Sequence, residues 1–205
     1  MENLSIYENL LQDAGDASTE EIIAFLKVEL PWLWSDHYRA YCEPFGDICI
    51  VQMGAFDYIM DDRSPIGHEP RIITAFGISL PNSKKRDDYR LRGWVGKTNE
   101  RFGEAWDKGH FIAHTIGGAI DHAELNVFKQ LRSLNRGWSA EGKVFRKMER
   151  YCKANPGTFC FHRALYDDQT ANPSILEFGL LTKEKTLWTN QFSNVAPLPF
   201  PTLGS

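Results

Sequence analysis

No Cys-x-x-Cys pair occurs in this sequence. Its four cysteines stand apart at positions 42, 49, 152 and 160, which excludes the close-spaced thiol patterns of zinc ribbons and redox motifs. No apolar run approaches the roughly 18 residues that a membrane-spanning helix needs, so no membrane partner is expected. The start at Met1, Glu2 and Asn3 has neither the basic residues nor the apolar core of a signal peptide. With the scattered thiols, this leads us to expect a reduced, cytoplasmic protein, the alternative being export by a non-classical route. Internal repeats and low-complexity domains are also missing. So is a global excess of positive charge, since 23 lysines and arginines against 27 aspartates and glutamates give a net charge of -4.

What is present is one ordinary globular domain's worth of chain: 205 residues, 42% of them hydrophobic, enough to bury roughly 70% of the unfolded surface without a staple. The charge is unevenly distributed. Residues 1 to 81 hold 4 basic and 14 acidic side chains, whereas 126 to 153 hold 8 basic and 2 acidic. A basic patch is therefore local, and a polyanionic partner is compatible with an acidic whole. We divide the chain into an N-terminal helical segment (1–35), a main domain (36–196) and an extended, proline-marked tail (197–205).

Residues 3 to 14 read as a first helix. Ser18 with Glu21 makes a capping box before a second helix, which Pro31 should end. Strands are expected at 47–53, 55–59, 71–80, 89–95, 158–166, 175–181 and 187–192, separated by turn-rich stretches. The fold class is thus α+β, with a central, mostly antiparallel sheet flanked by helices. In the 89–95 strand, Arg90 and Arg92 share one face by the period-two rule. They suit phosphate contact, or are an ordinary charged outer face.

The stretch from Trp106 to Arg150 organises the rest. Asp107, Lys108, Gly109 and His110 lead into an apolar run, 111–113, that suits a short buried strand. A glycine turn at Gly117 and Gly118 follows, and then a second strand at 125–128. From Trp138 onward, Glu141, Val144, Phe145, Met148, Tyr151 and Cys152 fall on one helical stripe. Lys143, Arg146, Lys147, Arg150 and Lys153 cover the rest, until Asn155, Pro156 and Gly157 stop the helix.

Asp107, Gly109 and His110, then Asn126 and Gln130, then Asn135, Trp138 and Glu141, resemble in order and spacing the signature of the non-specific DNA/RNA endonucleases. That family belongs to the His-Me, or ββα-metal, finger class. Lys108 stands where the family has an arginine, which keeps the cation and loses the planar fork. The steps from Asn135 to Trp138 and from Trp138 to Glu141 are each one residue shorter than in the family. The resemblance implies a ββα-metal finger over about 106–153. It also implies a magnesium cofactor, with manganese able to substitute, and hydrolysis of DNA and RNA to 5′-phosphate ends with little sequence specificity. A homodimer and an inhibitor or immunity protein are partners it leaves open, as are roles in toxicity, defence or salvage.

On that resemblance the roles fall as follows. His110, whose ordinary pKa is near about 6.5, takes a proton from water as general base; a lone histidine would otherwise be structural. Asn135 offers a neutral carbonyl oxygen to a hard ion that needs few protein ligands, or else caps the following helix. Lys108 and Arg146 neutralise phosphates, with Arg136, Arg90 and Arg92 holding substrate. Asp107, Asn126 and Gln130 support the loops around His110. Glu141 holds the ion's water shell, or is a plain acid in the helix's first turn. The helix register leaves Glu141 and Gly142 competing for the acidic position, and the inward stripe favours Glu141.

A zinc reading of His110, His114, Asp121 and His122 is weaker, because positions four apart on a strand are about 13 Å distant. The rival from another class is a non-catalytic nucleic-acid-binding or protein-interaction domain on the same scaffold.

Overall fold

The structure is a computed structural model that describes residues 7, 10–11, 16–44, 46–81, 103–119 and 123–196. The 89–95 strand with Arg90 and Arg92, Asp121, His122, the tail 197–205 and most of the 3–14 helix lie outside the described residues.

Helix α1 spans Thr19–Tyr41. Ser18 Oγ accepts from Glu21 N at 3.2 Å and Glu21 Oε2 accepts from Ser18 N at 2.7 Å, so the capping box is real. The expectation that Pro31 ends the helix is corrected, since the helix runs ten residues past it to Tyr41. Pro31 removes one intrahelical donor. Against that cost, Leu26, Leu30, Trp34 and Tyr38 recur every four residues and are all buried, which carries the helix through. The expected boundary at residue 35 therefore falls inside a continuous helix that belongs to the one core.

Six antiparallel strands follow: β1 (Ile48–Met53), β2 (Phe56–Asp61), β3 (Arg71–Ile78), β6 (Phe159–Leu165), β7 (Ile175–Leu181) and β8 (Leu187–Ser193), in the order β1-β2-β3-β6-β7-β8. Successive side chains alternate between faces. On one face Phe76 and Phe161 pack on Trp34 of α1, at ring separations of 5.5 and 4.8 Å. On the other, His162, Phe178 and Phe192 meet Phe145 of the later helix at 5.4, 5.7 and 5.3 Å. The α+β class with a mostly antiparallel sheet holds. No described helix is long and apolar enough to cross a membrane.

Between β3 and β6 the chain makes a separate two-stranded antiparallel sheet of β4 (Trp106–His110) and β5 (Val127–Leu131), with the four-residue helix α2 (Ala123–Asn126) before β5. Short α3 (Arg132–Asn135) and the fifteen-residue α4 (Ala140–Ala154) come next. Two boundaries are corrected. The first strand is Trp106–His110 and not 111–113, and the second is Val127–Leu131 and not 125–128. Phe111 and Ile112 are buried all the same, so their apolar character marks the core beneath the strand end.

Asn194, just past β8, fastens this small sheet to the large one. Its Oδ1 accepts from Leu131 N at 2.7 Å, and its Nδ2 donates to Lys129 O at 2.9 Å and Pro173 O at 2.8 Å. One side-chain amide thus supplies the donor and acceptor that a neighbouring strand would have offered.

Candidate functional site

Burial along β4 alternates, with Asp107 and Gly109 inside and Trp106, Lys108 and His110 half-buried. Lys108 and His110 thus share the more open face, and Asp107 points the other way. The register sets His110 opposite Val127, Lys108 opposite Lys129, and Asp107 opposite Gln130. Directly after His110 the backbone is gripped by Asn126. Its Oδ1 accepts from Ile112 N at 2.8 Å, its Nδ2 donates to Ile112 O at 2.9 Å and Ala119 O at 3.2 Å, and its own carbonyl accepts from Phe111 N at 3.0 Å. A fully buried amide satisfied in this way fixes where the strand ends. Asn126 thus holds the loop that follows His110.

Asp107 is the hub of the inner face. Arg132 Nε donates to its Oδ1 at 3.0 Å, and Arg136 grips both oxygens at 2.6 and 3.0 Å. Asn135 Nδ2 donates to Oδ2 at 3.3 Å. Burial alone would push the Asp107 carboxyl up. Donation by Arg136, Asn135 and Arg132 outweighs it and holds the group below the usual carboxylate range. The strand bearing His110 and the helix bearing Asn135 are tied together through this one carboxylate.

The same contact orients Asn135. An ionised carboxylate only accepts, so the amide must present its nitrogen to Asp107 and turn its carbonyl oxygen away. Asn135 is also released from the rival capping role, because the N-cap of α4 is Ser139, whose Oγ accepts from Gly142 N at 2.9 Å.

Arg136 was expected on substrate. Two of its donors, on Nε and Nη2, go to Asp107, and its half-exposed guanidinium lies 5.0 Å from the ring centroid of exposed Trp138. Arg146 pairs with Glu149 at 2.5 Å while keeping a half-exposed side chain. Gln130 is buried and packs across the strand on Gly109.

One position of the helix stripe is corrected. Glu141 is exposed in the first turn of α4, and the buried positions are Gly142, Phe145, Met148, Glu149 and Cys152. The close approach of α3 decides this: a β-carbon on residue 142 would stand 2.5 Å from Ser133 O and 2.9 Å from Leu134 O. Gly142 takes the inward place, and no carboxylate fits there. The buried acid that sequence reasoning missed is Glu149, whose carboxyl is raised by burial against the pull of Arg146. The spacing 142, 145, 149, 152 would have found it, had the stripe been started one residue later. Arg132 was missed too, since its only sequence signal was membership of a basic run.

Among the described residues no group of three or more His, Cys, Asp or Glu side chains could hold a metal ion. An oxygen site built on an asparagine carbonyl falls outside that kind of cluster. No protein-family model matches the chain, and no curated protein matches it in sequence.

Proposed function

We propose that this protein is a metal-dependent endonuclease that hydrolyses phosphodiester bonds of DNA and RNA with little sequence specificity, leaving 5′-phosphate ends, on a ββα-metal finger formed by β4, β5 and α4. The observation that carries the reading is the Asp107 hub. It joins the histidine strand to the asparagine helix and turns the Asn135 carbonyl away from its own anchor. A neutral, oriented oxygen of this kind fits magnesium, or manganese in its place, since such ions keep most of their waters and take few protein ligands. Bound there, the ion would neutralise charge building on the phosphate.

The residues of the chain would do the rest. His110 takes a proton from the attacking water. As that oxygen bonds to phosphorus the bond to the 3′ oxygen breaks, and the leaving oxygen takes its proton from solvent. Lys108, on the same strand face, sits two residues from the base and would bind the scissile phosphate. Arg146, held by Glu149, would meet a neighbouring phosphate with the donors that pair leaves over. Asp107, Asn126 and Gln130 keep strand, loop and helix in register. Glu141 is given no step.

The test is cleavage of supercoiled plasmid and of RNA, with magnesium or with EDTA, by the wild type and by His110→Ala. Cutting by the wild type alone, and only with metal, supports the enzyme. A His110→Ala loss short of the roughly 10²-fold that a general base supplies removes the base assignment. Binding without cutting by the wild type decides for the non-catalytic domain.

A further inference from the structure

We infer that Lys129 and Trp106 form a second phosphate subsite beside His110, one that takes the backbone phosphate flanking the scissile one. This rests on the nuclease reading. It adds a residue pair that the motif does not contain.

The register places Lys129 directly opposite Lys108 and two residues beyond Val127, the partner of His110. Trp106, Lys108, His110 and Lys129 are all half-buried, while Asp107, Gly109, Phe128 and Gln130 fill the closed side. Four chemistry-bearing side chains therefore line one face of a two-stranded sheet. Diagonal neighbours across an antiparallel pair stand about 7–8 Å apart. That sets Lys129 one short step from His110, a distance suited to the next phosphate along a strand.

Its electrostatics point to an anion. Among the described residues no carboxylate pairs with Lys129. Its ammonium lies over the Trp106 ring, 4.4 Å from the centroid. An aromatic face holds a cation in place without neutralising it, and leaves N–H donors for an oxygen anion. The strand cannot swing the lysine aside either, because Asn194 pins the Lys129 carbonyl and the Leu131 N–H.

The experiment measures binding of a labelled single-stranded DNA, and of an RNA of the same length, to His110→Ala protein over a salt series. Lys129→Met, which keeps an apolar stem over Trp106, should raise Kd several-fold for DNA and RNA alike. It should also lower the slope of log K against log salt by about 0.7, the loss of one phosphate contact on a single strand. Lys129→Arg should retain the slope, as should Lys27→Met on α1. A Lys129→Met slope equal to the parent's overturns the subsite and leaves the nuclease reading standing, whether or not the melting temperature falls. A parent that shows no salt-dependent binding to either nucleic acid overturns both.

Discussion

A β-carbon on Gly109 would stand 2.4 Å from the β-carbon of Gln130 and 2.5 Å from its side-chain oxygen. The glycine before His110 is therefore a packing requirement of the buried side of the β4–β5 sheet, where a glutamine lies across the strand.

Gly109→Ala should destabilise the protein by about 1–3 kcal/mol, the usual cost of overpacking, and should reduce cleavage by shifting His110. Thermal melts and plasmid assays would measure both. Gln130→Gly should restore part of each loss in the double variant. A double variant no better than Gly109→Ala would show that the clash is not the cause.

Asp107→Asn removes the negative charge and one of the two accepting oxygens that Arg132, Arg136 and Asn135 share. Because Arg136 is half-exposed, the loss should be held to about 1–3 kcal/mol. The sign with pH is fixed by the lowered native pKa. The contribution of Asp107 is complete above its unfolded pKa, near about 3.9, and disappears as pH falls through the lower folded value. Melting temperatures between pH 5 and pH 2 should therefore converge for wild type and variant at the acid end.

Glu141→Gln should leave Mg²⁺-dependent turnover within about twofold and the melting temperature within about 2 °C, since the side chain is exposed and Ser139 already caps the helix. A tenfold fall in turnover would return Glu141 to the site.

His162 is fully buried between Phe145 and Phe178, neither ring nitrogen is hydrogen-bonded among the described residues, and burial pushes its pKa down to about 3. Burying the neutral ring carries no pH-linked cost above pH 6.5. Below that, the unfolded chain binds the proton first, so stability falls steadily toward pH 3, by about 2–3 kcal/mol at pH 4.5. Replacing it with leucine should flatten this limb of a denaturant-stability profile. An unchanged pH slope in His162→Leu would contradict the assignment.

The large sheet was legible because its strands are alternating or apolar runs bounded by turn residues, and 175–181 matched to the residue. The helix of 140–154 was legible from its apolar stripe and its stop at Asn155, Pro156 and Gly157. Pro31 misled because local chemistry favours a break there, while the burial of Trp34 and Tyr38, invisible locally, overrides it. The strand ending at His110 was read too late because Phe111 and Ile112 are apolar for a reason other than strand pairing. Within the proposed site, His110, Asn126 and Asn135 were named through the resemblance of their order and spacing to a family signature. The Asp107 hub could not be, because which of several arginines meets a carboxylate depends on how α3 folds back over β4. The inward residue of α4 turned on one position, and the backbone of α3, which no periodicity reports, assigned it to Gly142.

Asn194 joins the two sheets with an amide that both donates and accepts, a chemical identity that is not permanent. Deamidation would leave a carboxylate of nearly the same shape that still accepts from Leu131 N but can donate to neither Lys129 O nor Pro173 O. A change of one mass unit would then set two carbonyls adrift, that of Lys129 among them, and loosen β5.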